Sequence, residues 1–154
     1  MNDTKVQDGI NTSLGWVELN KMIVEYNPKR FNLYASLFDF TDTDLIRLMT
    51  LSPMYTFIKQ YSECKKMGEK FSYINTKYYN MQMLYGRTHS YAVSKASNFM
   101  KLFDDISVNG IQKYPLVEPE FKKFQIRDGH HRIACCMALD YKKLICRIIQ
   151  GQTL

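Results

Sequence analysis

One stretch constrains the fold of this chain more than any other: Phe124-Gln125-Ile126-Arg127-Asp128-Gly129-His130-His131-Arg132-Ile133-Ala134-Cys135-Cys136-Met137-Ala138-Leu139. It opens with alternation, Phe124 and Ile126 against Gln125 and Arg127, the period of a half-buried strand. It closes with Ile133, Cys136 and Met137 at the spacing of one helix face. Only Asp128-Gly129 separates the two patterns. A strand that stops there and turns at once into a helix leaves free backbone N–H groups at the helix start. Those donors and the helix dipole favour an anion, and Arg132 would add a fixed charge with a bidentate fork. A glycine between strand and helix is equally well explained as a plain turn, and the stretch alone leaves both readings open.

Upstream, Trp16-Val17-Glu18-Leu19 reads as a short strand with Gly15 as the break before it, and Met22-Ile23-Val24 extends or follows it. The first dozen residues are polar and are expected to be mobile. Asn27-Pro28-Lys29-Arg30 is a turn, because Pro28 fixes its own φ and disfavours helix at Asn27. Arg30 has two readings, a second phosphate ligand or a solvated turn arginine.

Thr41-Asp42-Thr43-Asp44 before Leu45, Ile46, Leu48, Met49 and Leu51 marks a helix start, a hydroxyl cap followed by an acid three residues on. Ser52-Pro53 restarts the chain as N-cap and first helical residue. Met54, Phe57, Ile58, Tyr61 and Cys64 continue at helical spacing to a stop at Gly68. A further helix spans about residues 75–84, with Tyr78, Tyr79 and Met81 to bury, and ends at Gly86. Arg87-Thr88-His89-Ser90 is then a polar loop in which Ser90 caps the next helix, leaving Arg87 and His89 as anion-binding candidates. Val93, Ala96, Phe99, Met100, Phe103 and Ile106 form one stripe closing at Asn109-Gly110. Residues 114–117 read as a strand, residues 118–123 as a polar loop, and residues 144–149 as a final apolar strand.

This order predicts an α+β domain with a mixed sheet and packed helices. It is a single unit over residues 1–154, with a core of residues 13–30 and 91–150 and a helical insertion of residues 31–90. The chain is large enough to bury a real core. No apolar run approaches the ~20 residues that span a bilayer, and Met1-Asn2-Asp3-Thr4-Lys5-Val6 has no signal-peptide pattern, so a cytoplasmic location is expected. Cys64, Cys135, Cys136 and Cys146 match neither a zinc spacing nor a redox Cys-x-x-Cys pair, and buried free thiols in a reducing compartment explain them. A net charge of +6 permits an anionic ligand. The lysines are scattered, with no basic arm for nucleic acid.

Together these pieces resemble the ParB/sulfiredoxin superfamily. The residues that carry the resemblance are Leu102 through Ile106 to Gly110, then Pro115-Leu116-Val117, then Ile126-Arg127-Asp128-Gly129-His130-His131-Arg132, then the strand of residues 144–149. Val17-Glu18-Leu19 followed by Asn27-Pro28-Lys29-Arg30 is similar to the family's first strand and its Asn-Pro-x-x-Arg segment. The likeness covers residues 98–149 and, more loosely, 16–30. The block of residues 31–90 has no counterpart in the minimal core, and its Ser52-Pro53-Met54-Tyr55 start looks like small ParB-like proteins with a helical insertion.

The resemblance implies a bound nucleotide, ATP or CTP with Mg²⁺, whose phosphates lie on Gly129, His130, His131 and Arg132, with Arg30 and Arg87 as further ligands. It implies phosphoryl transfer to a small molecule, such as a sugar or amino acid, or nucleotide hydrolysis. His131 would bind phosphate or stabilise developing charge. Asp128 would bind Mg²⁺, act as base or cap the helix, and Glu18, Asp104 and Asp105 are further acids that could face the site. The other expected class is a non-catalytic nucleotide sensor or protein-interaction module, and a third is a DNA-associated ParB-like nuclease. Two departures matter. Sulfiredoxins carry Gly-Cys-His-Arg with a catalytic Cys where this chain has His130, and partition ParB proteins carry Gly-Glu-Arg-Arg and a following helix-turn-helix. Neither of those activities is therefore expected. The aromatic-rich insertion offers surface for an interface.

Overall fold

A computed structural model of the chain describes residues 5–7 and 10–151. The fold is mixed α+β. Its six-stranded sheet has the order β1-β2-β6-β4-β5-β3, formed by β1 (Lys5–Gln7), β2 (Ile10–Glu18), β3 (Met22–Ile23), β4 (Leu116–Glu120), β5 (Lys123–Asp128) and β6 (Lys143–Ile149). The β1/β2, β2/β6 and β4/β5 pairs are antiparallel. The β4/β6 and β3/β5 pairs are parallel. The helices are α1 (Phe31–Ala35), α2 (Thr43–Ile46), α3 (Pro53–Met67), α4 (Lys77–Leu84), α5 (His89–Asn109) and α6 (His130–Ala138). Among them none is long and apolar enough to cross a membrane.

Alternation on the central strands buries Val17, Val117, Ile126, Leu144 and Cys146. This face meets α6, whose Ile133, Ala134, Cys135 and Cys136 are fully buried. Helices α3 and α5 pack on α6 and on each other, and α4 packs on both of them. Between them Phe57, Tyr78 and Phe99 form a ring cluster, with Phe57 stacked on Phe99 at 5.3 Å and 11° and Tyr78 at 4.8 Å from Phe57. One hydrophobic cluster includes both sheet and insertion residues. Truncating Ile133 to Ala would cost about 2–5 kcal/mol, because it is fully enclosed.

Local signals set several boundaries. Ser52 Oγ accepts from Tyr55 N at 3.1 Å, Pro53 follows at the first helical position, and Gly68 ends α3 in the left-handed region at φ 67°. Other expectations need correction. Ser90 does not cap α5: Thr88 does, its Oγ1 accepting from Tyr91 N at 3.1 Å, so residues 89 and 90 are helical. Asp42 rather than Thr41 caps α2, with Oδ1 accepting from Asp44 N and Leu45 N. That helix stops at Ile46 because the chain then docks on the sheet edge: Val24 N donates to Arg47 O at 2.8 Å, and Leu48 bridges Ile23.

The expected loop of residues 118–123 is a β-hairpin, with Glu118 opposite Gln125 and Glu120 opposite Lys123. Pro119 is tolerated because β6 pairs only with Leu116 and Val117, so no neighbour asks for its missing donor. Gly15 is not a break before a strand but lies inside β2, where a Cβ would approach Ile148 Cδ1 to 2.9 Å. The expectation of a mobile first dozen residues lies partly outside the described residues. Within them, Lys5–Gln7 pairs with β2, so that part of the expectation does not hold.

Candidate functional site

Strands β3 and β5 run parallel, with Met22 opposite Phe124 and Ile23 opposite Gln125. Their carboxyl ends therefore meet at one end of the sheet, the place where open α/β sheets bind ligands. The chain leaving β3 (Val24 to Asn27) lies beside the turn that leaves β5. Two contacts hold the segments together: Glu25 N donates to His130 Nε2 at 3.1 Å, and Tyr26 N donates to Gln125 Oε1 at 2.9 Å. The turn is Gly129, the N-cap of α6, at φ 104° and ψ 25°. A Cβ there would lie 3.0 Å from Pro115 Cβ and 3.0 Å from Arg132 Nη2, in a backbone region L residues rarely adopt. No side chain caps α6. Asp128 therefore is not the cap, although a cap was among its expected roles.

A cavity of about 260 Å³ opens at this end of the sheet, lined by Val24, Glu25, Asn27 and Arg30, by Phe31 and Tyr34 of α1, and by His130 and His131. Met54, Met81 and Tyr85 complete the wall. Both imidazoles are held neutral, with pKa values lowered to about 4. For His130 the cause is burial, opposed in part by Asp128. For His131 it is burial, then the electrostatic cost of a second proton beside His130, then the Lys95 charge. His130 Nε2 accepts the Glu25 amide, so its proton sits on Nδ1. His131 Nε2 lies 2.8 Å from Tyr78 Oη. Gln82 hydrogen-bonds the same hydroxyl, and burial holds that phenol well above its usual range. The phenol is thus protonated and shares one hydrogen bond with the His131 ring. His131 also stands edge-on against Phe99 at 4.6 Å and 81°. Two uncharged imidazoles thus line the pocket.

The remaining candidates are dispersed. Arg30 lines the pocket and lies over the Tyr85 ring at 4.9 Å. Arg87 stacks on Tyr91 at 4.6 Å and does not line it. Arg132 turns the other way: Nη1 donates to Lys113 O at 2.6 Å, and Nη2 meets Asp128 Oδ2 at 3.1 Å. Asp128 also faces Lys113 at 3.9 Å and Arg147 at 3.7 Å, so three cations converge on one carboxylate. Of the other acids, Glu18 pairs with Lys21, Asp104 with Lys65 and Tyr61, and Asp105 with Asn109. None of the three lines the pocket. His89 Nδ1 bonds Tyr79 Oη at 2.7 Å.

Sequence reasoning missed Glu25, the carboxylate that does line the pocket, where Arg127 Nε meets it at 3.1 Å. Its place two residues before Asn27-Pro28 was the available signal. It also missed Tyr34 and Tyr85, which no pattern separates from core aromatics. Among the described residues no group of three or more His, Cys, Asp or Glu side chains could hold a metal ion by itself. A Mg²⁺ here would need one or two carboxylates plus substrate phosphates, its common arrangement, and Glu25, paired with Arg127, is the carboxylate lining the pocket. No protein-family model, curated protein or solved structure matches the chain.

Proposed function

We propose that the chain is a ParB/sulfiredoxin-like domain that binds a nucleotide where β5 turns into α6, and that it transfers or hydrolyses the terminal phosphoryl group. The observation that carries this reading is the convergence of donors at one pocket. The uncapped start of α6 supplies backbone N–H groups and the positive end of its dipole. The His130 and His131 rings and the Arg30 guanidinium line the same pocket. Neutral imidazoles stabilise charge as hydrogen-bond donors, and Arg30 carries the pocket's full positive charge. In this reading Glu25, the carboxylate that lines the pocket, receives an acceptor hydroxyl's proton or shares a Mg²⁺ with the phosphates. The Asp128-Gly129-His130-His131-Arg132 pattern and its framing segments support the same reading. In it Arg132 and Asp128 shape the turn, while Arg30 and the two histidines meet the ligand.

The test is calorimetric titration of the chain with ATP, CTP, GTP and tripolyphosphate in Mg²⁺, with phosphate release followed separately. Binding should fall at least about tenfold in Arg30→Ala, the loss of one charge-assisted hydrogen bond. No binding of any phosphate compound would sink the proposal. Binding without turnover, across a panel of hydroxylated acceptors, would assign the chain to nucleotide sensing instead.

A further inference from the structure

The Tyr34 hydroxyl is buried, has no hydrogen-bond partner among the described residues, and belongs to a side chain that lines the pocket. Tyr34 is 7% exposed. Buried polar groups almost always find a partner, so each exception calls for an explanation. Its ring is fixed by Phe38 at 5.4 Å. The surfaces around it are apolar: Phe31 from the same helix, Met54 from α3 and Met81 from α4. All four residues come from the helical insertion rather than from the sheet.

This chemistry discriminates between ligands. An anion driven into an apolar recess needs several donors to replace its water, and the recess offers only the phenols of Tyr34 and Tyr85. An uncharged planar ring with a hydrogen-bond acceptor on its edge fits better. Its faces meet thioether and aromatic side chains, which suit flat π-systems. The volume of about 260 Å³ lies just under the roughly 300 Å³ at which pockets begin to enclose a drug-sized ligand, so a ring enters and the rest of the molecule stays outside. Arg30 and Asn27 line the polar side of the same cavity, next to the α6 start.

We infer that the helical insertion forms a base pocket, in which the heterocycle of a nucleotide packs against Phe31, Met54 and Met81 and accepts a hydrogen bond from Tyr34 Oη. This rests on the nucleotide reading above and identifies which end of the nucleotide the insertion selects. The test titrates the full chain and Tyr34→Phe with the four nucleosides, the four nucleoside triphosphates and tripolyphosphate, all in Mg²⁺. One nucleoside and its triphosphate should bind the wild type best. Both should weaken about tenfold in Tyr34→Phe, the loss of one hydrogen bond, while tripolyphosphate binding stays unchanged. The ligand-free variant should melt no lower than the wild type, because the lost hydroxyl had no partner.

Wild-type affinity in Tyr34→Phe overturns the base pocket, as does tripolyphosphate binding as tightly as the best nucleoside triphosphate. A lowered melting temperature in Tyr34→Phe also overturns it, since the hydroxyl would then have had a partner. Nucleoside binding without tripolyphosphate binding upholds the base pocket and removes the phosphate site. If no compound binds, both fall.

Discussion

Holding two histidines neutral at a helix start makes stability depend on pH in a defined direction. Both have folded pKa values lowered to about 4 from an ordinary 6.5. Above pH 6.5 both rings are neutral in the folded and unfolded chain, and the shift contributes no pH dependence. As pH falls below 6.5 the unfolded chain takes up protons that the folded one refuses. Stability is therefore lost between about 6.5 and 4. At pH 5 the difference between unfolded pKa and pH is about 1.5 units, or roughly 2 kcal/mol for each histidine. Two of them give roughly 4 kcal/mol, and at 2–4 °C per kcal/mol for a chain of this size the melting temperature should fall by roughly 8–16 °C. Carboxylates contribute to any acid transition, so the informative quantity is a difference. Melting curves at pH 7.5 and pH 5 should be measured for the wild type and for His130→Gln/His131→Gln. The acid-induced drop should be smaller in the double variant by most of that amount. An equal drop in the two proteins would falsify the claim that these rings are buried neutral.

Other parts of the site and scaffold give sharper local tests. Arg132→Ala strands the Lys113 carbonyl and removes a contact to Asp128. It should destabilise by about 0.5–1.5 kcal/mol, read as a lower urea midpoint at unchanged m-value; unaltered stability would return Arg132 to the ligand. Gly129→Ala combines a disfavoured φ with two 3.0 Å contacts and should cost about 1–3 kcal/mol or more in the same assay. Ser52→Ala loses the α3 cap and should cost about 1 kcal/mol. Burial pushes the Cys136 and Cys146 thiols up to about 12 and Cys135 higher still, so native protein should yield a thiol reagent only the half-buried Cys64 quickly. More than one rapidly reacting thiol would contradict that packing.

The elements most legible in the sequence are those governed by neighbours in the chain. Ser52-Pro53 and Gly68 bound α3, Gly110 closes α5, and the alternation of Leu144 and Cys146 marks the last strand, because caps and periodicity act over one turn or one pleat. The Asp128-Gly129 break was equally visible, as the only passage from a period of two to a helical period within two residues. Which of its side chains meet the pocket was not. In a helix start, successive residues step by about 100°, so His130 and Arg132 stand about 200° apart and face opposite surroundings. The packing of Pro115 and the Lys113 carbonyl turned Arg132 outward and left the imidazoles inside.

The pocket itself draws on residues 24–34, 54, 81–85 and 130–131. These come together only because β3 crosses to the far edge of the sheet, beside β5, and the insertion folds back over that edge through Arg47, which pairs with Glu120 at 2.7 Å. By itself, then, the sequence determined where the strand-turn-helix lies and that its start is rich in donors. Only the tertiary structure decided that Tyr34, Glu25 and Arg30 complete it. Strand pairing across roughly a hundred residues has no local signature, because any apolar edge strand could have taken that place.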